Sequence, residues 1–551
     1  MVESNVKMYV FVENDEKTKG KISPMHLFYL AVALTVISFV TIIYYPKTCK
    51  ELPYSEMYRP QVHYSLPSNW MNDPNGLVFH NGVYHLFYQY HPYSKEWGPM
   101  HWGHATSKDL LHWNNLPTAL YPNELGAIFS GCALVDKRNV TGLQLSKSTN
   151  VLIAIFTQHL EDGSSSPIER QSLAYSNDHG LTWKMYGNNP ILESPGHKDF
   201  RDPKVIPYKD HYIMLVVAGE KVFFYKSYNL TDWQKLSEFG DDQGKHGGVW
   251  ECPDLFTLTL DGEEYWILLV SINPQGPNGG SATQYFVGFF DGEKFINYNE
   301  ANKTLWIDYG PDSYAGVTWY GISYNTRLFI SWMNNWDYCK DIPTDPWRGQ
   351  MSIPRILMLK AVGNYTYLTS TPVPVLNKLR QYKPMKPLEY LDDYIIEAGG
   401  HKVILDYDVQ TNNVYDVELL MDIESIDKSC TIEVCFSNNQ LESLCAGFSR
   451  YSKEYFIDRS NSGKINFHKN FTKVSKAKRV SKESLMYWRL IVDVSSIEFF
   501  ADEGLTVMTS LFFPHQKYNH IQLKLVSNNL NSKAVIKLKS VNLYTLKSIW
   551  R

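Results

Sequence analysis

The chain is short of cysteine. Seven residues in 551, with no Cys-x-x-Cys spacing, exclude a zinc ribbon, a thioredoxin-like redox pair and a disulfide-dense scaffold. An excess of charge of one sign is also missing. The formal net charge is −4, so no broad basic surface invites nucleic acid. Phosphate-cradling glycine loops, Gly-x-Ser-x-Gly elbows and His-Glu-x-x-His pairs do not occur. With them go the usual local signatures of nucleotide, serine-hydrolase and zinc-protease chemistry. Long stretches of helical periodicity are scarce, which argues against a helical bundle.

Long apolar runs are scarce too, with one exception. His26 to Tyr45 (HLFYLAVALTVISFVTIIYY) carries no formal charge, and about 20 residues at ~1.5 Å each span a ~30 Å hydrocarbon core. Lys17, Lys19 and Lys21 precede it, so the positive-inside bias predicts a cytoplasmic N-terminus. The leading segment is long for a cleaved signal peptide, and no small-x-small cleavage site follows. The reading is an uncleaved type II signal anchor: residues 1–22 a cytoplasmic tail, 23–45 the transmembrane helix, 46–57 a stalk. Everything beyond is then lumenal or extracellular, a vacuole-like compartment included. Asn-x-Thr sequons at Asn139, Asn229, Asn302, Asn364 and Asn470 agree with that side of the membrane. An oxidising compartment allows a disulfide among Cys430, Cys435 and Cys445, with buried free thiols as the alternative.

What the chain does have is aromatics, 14% of residues with 38 Tyr and 15 Trp. From Tyr58 onward, short runs rich in β-branched and aromatic residues (GVYHLFYQY, NVLIAIFTQ, HYIMLVVAG, EYWILLVSI, RLFISWMNNW) are broken by Gly, Asn, Asp and Pro. This pattern predicts an all-β protein. SKDLLHW ending at Trp113, SNDHGLTW at Trp183 and SYNLTDW at Trp233 form a weak repeat, each after a strand-like run. The spacing suggests propeller blades. The basic, two-proline stretch Asn377–Tyr390 reads as a linker. Beyond it, HKVILDYDV, CTIEVCFS, YWRLIVDVSSIEFFADEG and HIQLKLVS alternate as a β-sandwich does.

Three carboxylates stand out. Asp73 lies in Asn72-Asp73-Pro74-Asn75-Gly76, Asp202 between Arg201 and Pro203, and Glu251 in Val249-Trp250-Glu251-Cys252-Pro253. Each context predicts a tight turn at a strand end. Strand ends converge at a propeller's mouth, so three acids far apart in sequence can share one pocket. No His or further acid at ligand spacing accompanies them, which favours a metal-free site. Paired carboxylates are what glycoside hydrolysis needs, one as nucleophile and one as proton donor and acceptor, with their pKa values split by environment. Sequence neighbours assign the ionised role to Asp202, beside Arg201, and the proton-holding role to Glu251, in an apolar setting.

The motifs WMNDPNG, WGHATSKDLLHW, IFSG, FRDPKV, WECPDLF, QYFVG and WMNNW occur in the order found in glycoside hydrolase family 32. The chain resembles its β-fructofuranosidases, the levanase, exo-inulinase and invertase group. The resemblance is strong over about 58–380 and moderate in the sandwich, through IDRSNSG and LIVDVSSIEFFADEG. It implies a five-bladed β-propeller catalytic domain over 58–380 and a C-terminal β-sandwich over 381–551. It also implies release of terminal non-reducing β-D-fructofuranosyl units from sucrose or fructans with retention, and no cofactor.

Asp73 matches the family's nucleophile, Glu251 its acid/base and Asp202 its transition-state stabiliser, with Arg201 steadying Asp202. Asn72, Gln89, Trp97, Phe129, Ser130 and Trp336 match fructose-pocket positions. Val494 stands where the family often has Arg, which puts domain packing or a remote substrate contact in doubt. Fructosyl transfer from the same intermediate, or a membrane-tethered fructan receptor without turnover, are the competing readings. Oligomeric state stays open, with pairing through the sandwiches the family habit.

Overall fold

Strands of five to twelve residues dominate the computed structural model, which describes residues 54–146, 149–163, 166–323, 326–381, 394–396, 401–408, 414–527 and 534–550. Five antiparallel sheets come first. Their innermost strands are Asn69–His80, Ala127–Asp136, Phe200–Tyr208, Val249–Leu260 and Tyr314–Thr318. Each starts a meander that runs outward through its sheet, and the five pack against one another in ring order, the last against the first. This is a five-bladed propeller. A two-residue strand of the fifth-blade segment, Trp347–Arg348, pairs parallel with Asn69–Trp70 and ties the ring shut.

The Ser…Trp repeat is the corner between third and fourth strands in three consecutive blades. Ser107, Ser176 and Ser227 each accept a backbone N–H three or four residues on, from Leu110 at 2.8 Å, Gly180 at 2.9 Å and Leu230 at 2.8 Å. The indole N–H of Trp113, Trp183 or Trp233 then donates to the carbonyl of that same residue, at 3.1–3.2 Å. The corner residue takes φ of +69°, +85° or +67°, a conformation that Leu adopts only where its surroundings hold it there.

The remaining strands form two layers, one of seven strands, in which Tyr394–Ile396 also pairs with Ala534–Leu546, and one of six. One runs from Arg380–Gln381 through Ala534–Leu546, Tyr415–Asp422, Leu485–Val492 and Ser496–Ala501 to Thr506–Leu511. The other runs from His401–Asp408 through His520–Ser527, Cys430–Ser437, Ser443–Ser449 and Glu454–Asn461 to Val474–Lys478. Leu419, Phe436, Trp488, Phe499 and Leu525 fill the space between them, as the alternating burial of HIQLKLVS requires. Cys435 and Cys445, cross-strand partners, form a disulfide, while Cys430 is buried and free.

Buried charge joins sandwich to propeller. Arg355 of the fifth blade bonds Asp308 at 2.9 Å and Glu498 at 2.5 Å, and His63 lies between Glu498 at 2.9 Å and Asp493 at 2.8 Å. These two contacts raise the His63 pKa to about 9 against the opposing, largest effect of burial, so the ring is a cation at neutral pH. Val494 packs in an apolar seam with Val62, Leu111, Ile353 and Val507, which accounts for a methyl-bearing residue there. No helix among the described residues is long and apolar enough to cross a membrane. The proposed anchor at 23–45, with the tail and most of the stalk, lies outside the described residues.

Candidate active site

Every inner strand starts at the same mouth, and every one breaks register there. The pairing slips between Met71 and Pro74, Ile128 and Gly131, Arg201 and Lys204, Glu251 and Asp254, and Tyr314 and Val317. A bulge of this kind turns side chains that would lie along a blade toward the axis. Three bulges carry proline (Pro74, Pro203, Pro253), which has no N–H to leave unpaired. Asp202, Cys252 and Ala315 adopt φ of +63°, +47° and +53°, a strained conformation concentrated at the site. The tight turn expected at Asp73 is therefore a bulge inside a twelve-residue strand. Pro, Asn and Gly serve both features, and the sequence does not separate them.

The bulges deliver Asp73, Asp202 and Glu251 to one cavity of about 400 Å³. Asn72, Gln89, Trp97, Phe129, Ser130, Arg201 and Trp336 line it as well, so all the expected positions meet. Asp73 is held on both oxygens: Asn72 donates to Oδ1 at 2.9 Å, Ser130 to Oδ2 at 2.9 Å. Burial first, and the nearby Glu251 second, push its pKa up to about 6 against these hydrogen bonds. Gln89 donates to Asn75 at 3.2 Å, beneath the acid. Trp70 fixes Asn72 through its indole N–H at 2.7 Å and lies against Trp336, ring centroids 6.2 Å apart.

Three expectations about these acids are corrected. Arg201 does not hydrogen-bond Asp202. Its guanidinium donates to Glu251 Oε1 at 3.0–3.1 Å, to Asp199 at 2.7 Å and to Glu169 at 3.2 Å. The bulge between Arg201 and Lys204, with Asp202 at φ +63°, breaks the regular strand alternation, so the two side chains enter the same cavity toward different partners. Nor is Asp202 the readily ionised acid. Its Oδ2 accepts the Cys252 backbone N–H at 3.0 Å, yet burial, then Glu251, raise its pKa far above the carboxylate range, outweighing Arg201. Glu251 is not in an apolar setting either: Arg201 holds Oε1 and the Tyr314 hydroxyl donates to Oε2.

Sequence reasoning missed Tyr314, and the Cys252 thiol, which sits 3.5 Å from Asp73 Oδ2 and 3.6 Å from Asp202 Oδ2. It also missed the outer wall of His159, Glu169 and Asp199. His159 stacks on Phe129, ring centroids 4.2 Å apart, and its Nδ1 meets Glu169 at 3.0 Å. Tyr314 reaches Glu251 only through ring closure, and nothing in DSYAGVTWYG marks it. Among the described residues, the one His, Cys, Asp and Glu group close enough to ligate an ion is Glu433 with Cys435 and Cys445. Both of those sulfurs are spent in the disulfide.

The electrostatics carry a stability prediction. A carboxyl whose folded pKa is raised favours folding fully below its unfolded pKa, and loses that advantage as pH rises through the folded value. Asp202→Asn should therefore raise the melting temperature at pH 8 by about 2–5 °C, and by less at pH 5. Calorimetry at both pH values checks this; equal shifts would count against the burial argument.

A closed propeller with a carboxyl cluster at its mouth, braced by a sandwich, defines a glycosidase. The chain belongs to glycosyl hydrolase family 32: the family's N-terminal domain model matches residues 63–372 and its C-terminal domain model residues 395–545. It is similar to a levanase of Bacillus subtilis, 43% identical over 507 residues, which span 90% of this chain and 72% of that protein. The crystal structure of an exo-inulinase from Aspergillus awamori aligns with a TM-score of 0.79 at 33% identity, over 90% of this chain and 100% of that one. A β-fructofuranosidase from Schwanniomyces occidentalis complexed with fructosyl-erythritol aligns with a TM-score of 0.77 at 28% identity, over 91% and 99%.

Proposed function

We propose that the protein is a retaining β-fructosidase that removes terminal fructofuranosyl units from sucrose and fructans, with Asp73 as nucleophile and Glu251 as acid/base. The observation that carries this reading is the convergence of two carboxyls with opposite surroundings. Asp73 lies on the floor among neutral donors; Glu251 lies under a guanidinium and a phenol. Asp73 attacks the anomeric carbon, the glycosidic bond breaks, and Glu251 gives its proton to the departing oxygen. Water then attacks the fructosyl ester, losing its proton to Glu251, and Asp73 leaves as carboxylate.

Asp73 and Asp202 both feel the charge on Glu251. Negative charge on Glu251 raises Asp73, so a proton on Glu251 relieves Asp73 and favours its ionised form, which is the productive pairing. Asp202 Oδ1 has no protein hydrogen bond among the described residues and faces the cavity, free to bind fructose hydroxyls as charge develops on the ring.

A protonated nucleophile is inactive, so kcat/KM should fall as pH drops through about 6. Ser130→Ala removes a hydrogen bond that stabilises the Asp73 anion. It should move that acid limb upward by roughly half a unit to one unit. A pH profile of both proteins checks this, and a limb that moves downward would contradict it.

The broader test is a substrate panel on the purified full-length protein, with fructose and glucose measured separately on sucrose, inulin and levan between about pH 4 and pH 7. No fructose from any substrate would overturn the reading in favour of a binding protein. Transfer products in excess of free fructose would overturn hydrolysis. Residues 23–45 are read as a signal anchor that places the propeller on the lumenal or outer side; the Cys435–Cys445 disulfide fits that oxidising side.

A further inference from the structure

Seven large aromatic side chains are exposed among the described residues, and three of them, Tyr93, Trp97 and Tyr121, belong to two neighbouring loops of the first blade. Both loops open on the mouth that holds the carboxyls. One joins the strand ending at His91 to the strand starting at His101. The other joins the strand ending at Leu120 to the strand starting at Ala127. Trp97 and Met100 line the cavity itself. His101 follows Met100 and is buried, with Tyr93 on one side at 5.9 Å between ring centroids and Tyr121 on the other at 5.5 Å. Tyr93 is 77% exposed and Tyr121 54%, and neither hydroxyl has a protein partner among the described residues.

The loops that present these rings are fixed. Asn69 donates to Pro92 O at 2.7 Å, Trp70 to Ser94 O at 3.0 Å, and His91 Nδ1 meets Glu96 O at 2.8 Å. Arg348 pairs with Glu96 at 3.0 Å. In the second loop Asn123 and Gly126 exchange backbone hydrogen bonds, and Gln158 clamps Asn123 at 2.6 Å. Rigid loops that hold large apolar faces in water pay for that exposure only if something covers them, and rings already in place bind with little loss of side-chain freedom.

We propose that Tyr93 and Tyr121, flanking His101, form a remote subsite for the trailing chain of a fructan whose terminal unit occupies the cavity. The proposal rests on the β-fructosidase reading. The occupant follows from position and chemistry. A polymer leaving the cavity past Trp97 and Met100 meets this strip next, and a neutral sugar chain offers C–H faces to the rings and hydroxyls to the two phenols. Sucrose, with one unit beyond the scissile bond, is too short to reach it.

The double variant Tyr93→Ala/Tyr121→Ala, in the full-length protein, separates the possibilities. The expected result is a drop of about tenfold in kcat/KM on long-chain inulin and levan, carried mainly by KM, with sucrose within about twofold of the parent. Equal losses on sucrose and polymers would mean that the loops merely shape the mouth, and would overturn the subsite. Unchanged kinetics on the polymers would also overturn it, while fructose release from sucrose leaves the reading of function standing. A parent protein that releases fructose from nothing would overturn both.

Discussion

Asp73→Asn should lower fructose release from sucrose by about four orders of magnitude or more, because the amide cannot form the covalent intermediate assigned to Asp73. The substitution is nearly isosteric and preserves the local bonding. The Asn oxygen can still accept from Asn72, and its amide can donate to Ser130 Oγ in place of the bond seen at 2.9 Å. It also removes a buried carboxyl whose pKa is pushed up to about 6, so the melting temperature at neutral pH should not fall, and should rise slightly. Loss of activity with a level or higher melting temperature is the signature of a nucleophile, since a merely structural acid would lose both together. Residual kcat within about a hundredfold of the parent would remove Asp73 from the nucleophile's role.

That contrast depends on what the sequence makes readable and what it hides. The strands were legible because their alternation and aromatic content reflect burial on a pleated sheet, as in HIQLKLVS with its strictly alternating exposure. The Ser…Trp corners were legible because one side-chain hydrogen-bond pattern recurs in three blades. The three acids were legible because their proline-bearing contexts read as tight turns beside strand-like runs, although those turns are bulges within strands.

Their partners were not. Arg201 beside Asp202 suggested an ion pair, yet strand geometry turns the guanidinium to Glu251, 50 residues on. Tyr314 meets Glu251 across 63 residues of chain, a contact set by closure of the ring. Protonation is a spatial property as well. Asp202 is governed by desolvation and by Glu251, neither of which its immediate neighbours reveal.

Glu251→Gln tests that spatial account most sharply. Arg201 can still donate to the amide oxygen, and the amide can face the Tyr314 hydroxyl, so the side chain keeps its place. What is lost is the proton. For sucrose and fructans, whose leaving alkoxides need protonation, kcat/KM should fall by about a thousandfold. For an aryl β-fructofuranoside, whose leaving group departs unaided, the first step should lose less than about tenfold. The second step still lacks its base, so the fructosyl ester on Asp73 should accumulate, visible as a burst of released phenol and as a fructosylated peptide by mass spectrometry. A further consequence distinguishes this from general damage. Glu251 is the second cause, after burial, of the raised Asp73 pKa. With its charge gone, the acid limb of the aryl-substrate profile should move to lower pH, opposite to the shift expected for Ser130→Ala. Equal losses across leaving groups, or an acid limb that stays in place, would assign the acid/base role to another group.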